Sequence, residues 1–148
     1  MKTTLQKFCC LLFLITFCIS CSKDDSSSDG FYYYENGIGK KYKADYAYYN
    51  PGFGEISAFK SDEEILYFEL TSFAVGTYNI DNNINYFYYY GTNSTTGTSF
   101  TGRSGTVTIT KITNGKFSGT FNVTGTGTGA LSTLTSVKGN FQNLITLP

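Results

Sequence analysis

The chain has 148 residues, and its 11 basic and 11 acidic side chains cancel to a net charge of zero at neutral pH. That length holds one domain, and no run of like charge exceeds three residues, which excludes the clustered Lys/Arg footprint of a nucleic-acid-binding surface. Histidine and tryptophan are absent, which removes Ser-His-Asp catalysis, Cys-His pairing and imidazole-bound zinc from consideration.

The N-terminus divides into three parts. Lys2 and Lys7 supply positive charge, and the apolar stretch "FCCLLFLITFCI" follows over 8–19. A spanning helix needs about 20 apolar residues, so this shorter run predicts a secretory signal over 1–20. Ser20 is a small residue directly before Cys21, and the segment resembles a bacterial lipobox, with Cys18 where Leu is usual. The resemblance implies cleavage before Cys21, which would then carry a diacylglyceryl thioether and an N-acyl chain such as palmitate. Two or more chains give stable anchoring without a membrane span. The alternative is an ordinary signal peptide followed by a chance cysteine. All four cysteines lie in the first 21 residues, so the body of the chain holds itself together by its core, without disulfides.

Residues 21–30 form the anchor and a polar tether. "SKDDSSSDG" has no apolar side chain to pack, and nine such residues average roughly 15–18 Å end to end. "CSKDD" resembles the surface-export signal of Bacteroidota lipoproteins, carried here by Lys23, Asp24 and Asp25. That resemblance implies a lipid-anchored protein of the outer membrane facing the cell exterior. The alternative is that these residues merely begin a polar linker.

From 31 to 148 the chain reads as an all-β domain. Strands are expected at 31–35, 40–49, 54–60, 65–73, 76–80 and 84–91, with "ENGIG", "NPGFG" and "SDEE" as turns between the first four. "GTVTIT" (105–110) alternates with Val107 and Ile109 on one face, and "KFSGTFNVT" (116–124) does so with Phe117, Gly119, Phe121 and Val123. "TNG" at 113–115 predicts a hairpin turn between them. The last strand, "VKGNFQNLITL", directs Val137, Gly139, Phe141, Ile145 and Leu147 to one side. "GTGTG" (125–129) reads as a flexible loop before it. No stretch holds a 3.6-residue period. The expected architecture is an antiparallel β-sandwich of about eight or nine strands, with a closed β-barrel as the alternative.

"GTYNI" (76–80), "SGTVTITKI" (104–112), "KFSGTFNVT" (116–124) and "VKGNFQNL" (137–144) resemble, in that order, the C-terminal pattern of a β-rich domain family common in small Bacteroidota lipoproteins. "ENGIGKKYKAD" (35–45) is similar to that family's opening hairpin, with Tyr42 at its aromatic position. The family has no assigned activity, so the resemblance implies a fold and an address, and carries no catalytic or binding residue.

Catalytic and cofactor motifs are weak throughout. Ser57 and Lys60 have Ser-x-x-Lys spacing, but in a strand residues three apart point to opposite faces. Glu35, Asp45, Glu55, Glu69 and Asp81 could pair as glycosidase acids do, and nothing in the sequence singles out a pair. "DNNIN" (81–85) begins like a calcium loop, yet Tyr86 stands where its glycine and Thr92 where its closing glutamate should be, so a turn is expected. No cofactor, no metal and no enzymatic activity are expected.

Tyrosine is the distinctive chemistry. Eleven of the 13 lie in "YYY" (32–34), "YKADYAYY" (42–49) and "YFYYY" (86–90). Such runs fill both faces of a strand, and only one face enters a core, so some rings must face water. Tyr42, Tyr46, Tyr48, Tyr86, Tyr88 and Tyr90 are the candidate ligand-binding residues. The bland reading is that tyrosine simply favours strands. The expected function is a non-catalytic surface module holding a glycan or an extended peptide. The alternatives are an accessory subunit docking onto a larger outer-membrane assembly, and a carboxylate-dependent hydrolase.

Overall fold

The period-two segments fold as strands in the computed structural model, which describes residues 29–91 and 97–147. The signal stretch, Cys21, Lys23, Asp24 and Asp25 lie outside the described residues. The strands are β1 (Gly30–Glu35), β2 (Tyr42–Lys43), β3 (Tyr46–Asn50), β4 (Glu55–Lys60), β5 (Glu63–Glu69), β6 (Gly76–Asn79), β7 (Tyr86–Tyr89), β8 (Phe100–Thr113), β9 (Lys116–Gly127) and β10 (Ser136–Thr146). Among the described residues, one 3₁₀ turn at Gly129–Leu131 is the sole helical element.

The all-β reading stands, and of the two architectures the molecule adopts the barrel. β9 pairs along its length with both β8 and β10. The far edge of β10 carries β1 along Val137–Gln142 and then takes β3 in parallel at Ile145 and Thr146. From β3 the sheet passes through β4, β5 and β7 and returns to β8 at Phe100 and Thr101, so seven strands close a ring. The sandwich expectation gives way because one continuous twisted sheet meets itself through that short parallel seam. Once it closes, the inward faces share one interior and the ring has no free edge. β1 and β2 extend from β10, and β6 extends from β8 at Thr106–Ile109.

Inward side chains fill this interior. Ile56, Phe68 and Phe87 form one level across β4, β5 and β7, and Ala58, Leu66 and Tyr89 form the next, all with no exposed surface. Phe121 sits at the centre, with ring centroids 5.4 Å from Phe31, 5.5 Å from Phe87 and 6.1 Å from Phe68. The spacing Gly-x-Phe occurs on both β9 and β10, and antiparallel register sets Gly139 opposite Phe121 and Gly119 opposite Phe141. Each ring lies over the opposing glycine. A Cβ on Gly139 would fall 2.5 Å from the Phe121 ring and one on Gly119 2.4 Å from the Phe141 ring, so both positions require glycine.

Local departures from the expected elements have identifiable causes. The hairpin at Asn114–Gly115 is as expected, with both residues at positive φ (52° and 71°) as a type I′ turn demands. The expected strand 40–49 breaks at Ala44 and Asp45 into β2 and β3. The expected strand 65–73 stops at Glu69. Beyond it, Phe73 packs 4.2 Å from Tyr49 and 6.2 Å from Phe117, centroid to centroid. "GTGTG" is mostly strand: Gly125 pairs with Gly102 and Gly127 with Phe100, and a Cβ on Gly125 would fall 2.0 Å from the Thr101 carbonyl oxygen. On β10 a bulge separates Phe141 from Leu144, with Asn143 at φ 52°. The extra residue exchanges the faces. Leu144 is therefore buried, while Ile145, expected inside, is 55% exposed.

Candidate functional site

Because inward and outward positions alternate, closing the barrel turns the polar-and-aromatic half of β3, β4, β5 and β7 into one continuous outer face. Register aligns a transverse row on it: Ile145 opposite Tyr48, Tyr48 opposite Ser57, Ser57 opposite Tyr67, Tyr67 opposite Tyr88 and Tyr88 opposite Thr101. A second row sets Tyr46 opposite Phe59 and Phe59 opposite Glu64. A third sets Asn50 opposite Glu55, Glu55 opposite Glu69 and Glu69 opposite Tyr86.

Two ring clusters result. Tyr46 and Tyr48 stack on Phe59 at 4.9 and 5.3 Å. Tyr67 stacks on Tyr88 at 5.1 Å and leans on Tyr90 at 6.2 Å. Ser57 lies between the clusters on β4 and is only 1% exposed, although it faces outward. Its hydroxyl donates a 2.5 Å hydrogen bond to Glu55 Oε1.

The second carboxylate, Glu64, is half-buried on β5. Burial pushes its carboxyl above the usual value, the Glu55 charge adds to that, and the Ser57 hydroxyl opposes it. The phenols of Tyr48, Tyr67 and Tyr90 are likewise raised, by burial first, with the Glu55 charge adding to each. Two acids and three phenols therefore share one electrostatic neighbourhood. It offers flat apolar ring surface, hydroxyl donors and carboxylate acceptors together.

A family model described as "Domain of unknown function (DUF6252)" matches residues 35–145. The chain belongs to the DUF6252 family. No curated protein and no solved structure matches it. The matched residues include every strand of the barrel ring except Thr146 at the end of β10, so the outer face lies within the DUF6252 domain.

Within this DUF6252 domain, Tyr46 and Tyr48 on β3, Tyr86 and Tyr88 on β7 and Tyr90 just past β7 share the outer face, the β3 and β7 groups being separated by β4 and β5. Tyr86 stands at the margin, its hydroxyl donating to the Asn83 carbonyl at 3.0 Å. Tyr42 does not join them. It lies on β2, stacked 5.2 Å from the buried Tyr33 and beneath Lys40. Ser57 and Lys60 do not engage each other: Ser57 binds Glu55, and Lys60 Nζ is 2.8 Å from Asp45 Oδ1. Residues 81–85 are a turn in which the Asp81 carboxylate accepts from the Asn83 and Ile84 amides at 3.0 and 3.1 Å, bonds that hold its carboxyl below the usual range. Among the described residues no cluster of three or more Cys, Asp or Glu side chains is placed to hold a metal ion.

Sequence reasoning missed Tyr67, Phe59 and Glu64 as site residues. Tyr67 was detectable by phase: in "EEILYFEL" it occupies the outward parity beside the inward Leu66 and Phe68. Glu64 was hidden by a bulge. The register shifts between Ala58 and Phe59, which sets Glu64, and not its neighbour, opposite Phe59.

Proposed function

We propose that this DUF6252 protein is a lipid-anchored, non-catalytic cell-surface module that holds a glycan on the outer face of β3, β4, β5 and β7. The observation that carries the reading is the pair of ring clusters flanking Ser57, with Glu55 and Glu64 between them. Sugar rings present apolar C–H faces to tyrosine and hydroxyls to carboxylates, and tyrosine offers both surfaces at small entropic cost. An extended peptide is disfavoured because strand addition needs a long free edge. The two ends of the sheet path are β2 and β6, of two and four residues.

Calorimetric titration against a panel of extracellular polysaccharides tests the proposal, with wild type beside Tyr67→Ala and Tyr88→Ala. Each substitution is expected to weaken binding at least tenfold, about 1.4 kcal/mol. A wild-type protein that binds no glycan, or variants that bind as well as wild type, would overturn it and shift attention to docking on a membrane assembly.

A further inference from the structure

A second site is independent of the aromatic face. We propose that a cleft of about 330 Å³ beside β2, lined by Lys40, Lys41, Tyr42, Lys43 and Lys60, binds a phosphate-type oxyanion. The chain is neutral overall, yet among residues 29–147 these four lysines are half of the basic side chains, the others being Arg103, Lys111, Lys116 and Lys138. Concentrating that charge in one concavity focuses its field.

The fold assembles the cleft from two places. β2 pairs with β1 and carries Lys43 at the edge of the sheet, and Lys40 and Lys41 directly precede it. Lys60 arrives from the end of β4, where its ammonium donates to Asp45 Oδ1 at 2.8 Å and to the Lys43 carbonyl at 3.5 Å. That Lys60–Asp45 contact is the one ion pair found among the described residues. Among the described residues Lys40, Lys41 and Lys43 make no ion pair, and of the three only Lys43 lies near enough for its charge to act on Asp45, which Lys60 already engages.

Tyrosine rings hold these three ammonium groups in place. Lys41 Nζ lies 4.3 Å and Lys43 Nζ 5.5 Å from the centroid of the same Tyr32 ring, and Lys40 Nζ lies 5.4 Å from that of Tyr42. Two like charges sharing one ring repel, and a doubly charged anion between them would relieve that repulsion. Lysine ammonium is a compact donor of three hydrogen bonds and suits tetrahedral oxyanions. The volume equals about ten water molecules, enough for a phosphate and part of the group bearing it. The anion is either free phosphate or the headgroup phosphate of a lipid, and the chemistry of capture is the same for both.

The test is a chemical-shift titration of the full chain, carrying Cys21→Ala so that no acyl chain contributes, with inorganic phosphate at low salt. Wild type should show saturable shifts at Tyr32 and Tyr42. Lys41→Gln with Lys43→Gln should weaken binding at least tenfold with an unchanged circular dichroism spectrum, and Lys41→Arg with Lys43→Arg should retain it. A wild type without saturable shifts, or a Gln pair that binds equally well, overturns the proposal. Phosphatidylcholine vesicles with and without phosphatidylglycerol separate the sources. Capture by the anionic vesicles that free phosphate competes away assigns a headgroup, whereas phosphate binding with both vesicles ignored assigns a soluble anion.

Discussion

Ser57 is small, buried and outward-facing, and that combination locates the aromatic face. A larger residue there would fill the space between the two ring clusters, and an unbonded hydroxyl would be costly under that cover. Glu55 resolves the cost by accepting a hydrogen bond from it. For Glu64 the compensation is incomplete: burial, the largest influence on it, disfavours its charged form and outweighs the opposing Ser57 hydroxyl. Its folded pKa therefore lies above its unfolded value, and the native state binds a proton more readily than the unfolded chain. Stability falls as pH rises from the ordinary carboxylate value through the raised one, and the penalty is complete above that window. Glu64→Gln is thus expected to melt at a higher temperature than wild type near neutral pH, with the advantage shrinking as pH falls below the carboxylate range. Thermal denaturation followed across that range checks this, and a variant no more stable than wild type at neutral pH would show that Glu64 is not penalised. The residue types of this site were visible in the sequence, but their convergence was not, since Tyr48, Ser57, Tyr67 and Tyr88 belong to four separate strands.

At the scale of elements, strict alternation was a dependable guide wherever the pleat is unbroken. On β9, Phe117, Gly119, Phe121 and Val123 are all buried, as expected. β10 differs because one extra residue at its bulge reverses the parity of everything that follows. Leu144→Ala is accordingly expected to cost about 2–5 kcal/mol, as for a buried large-to-small change. Ile145→Ala should cost less than about 0.5 kcal/mol. Urea denaturation of the two variants reads the difference directly, and a larger loss for Ile145→Ala would mean that the strand pairs in the unbulged register. Glycine misled the reading of 125–129 for a related reason. Gly125 permits close approach of β9 to β8 and Gly127 close approach of Leu131, which sequence composition cannot distinguish from loop flexibility.

For the whole molecule, closure is the decisive feature. It removes the edges of the ring strands, leaving only the short end strands β2 and β6, and so leaves the outer face as the broad surface for recognition. The described chain begins with Asp29 accepting a 2.6 Å hydrogen bond from the Asn143 side chain on β10. Seven residues separate it from Cys21, a reach of about 30 Å at most. Under the proposed anchoring the barrel stays close to the membrane. Cys21→Ala should move the protein from the membrane to the soluble fraction, and Lys23→Ala/Asp24→Ala/Asp25→Ala should keep it membrane-bound but remove its accessibility to protease on intact cells. Membrane retention of the first variant would overturn the lipid anchor, and an unchanged accessibility of the second would overturn the export signal.

The sequence by itself determined the strand class, the hairpin at Asn114–Gly115 and the surplus of tyrosine that one core could not absorb. Those properties are local: they follow from period-two alternation, from the positive φ of a two-residue turn and from side-chain type. Tertiary structure alone decided that the sheet is a barrel, that Tyr67 and Glu64 join the face while Tyr42 leaves it, and that Lys60 meets Lys40, Lys41 and Lys43. Each of these depends on strand pairing between distant segments, above all the parallel contact of Ile145 with Tyr48. A pairing of that kind buries similar side chains whichever partner is chosen. It is selected by the twist and closure of the whole sheet, which no single segment encodes.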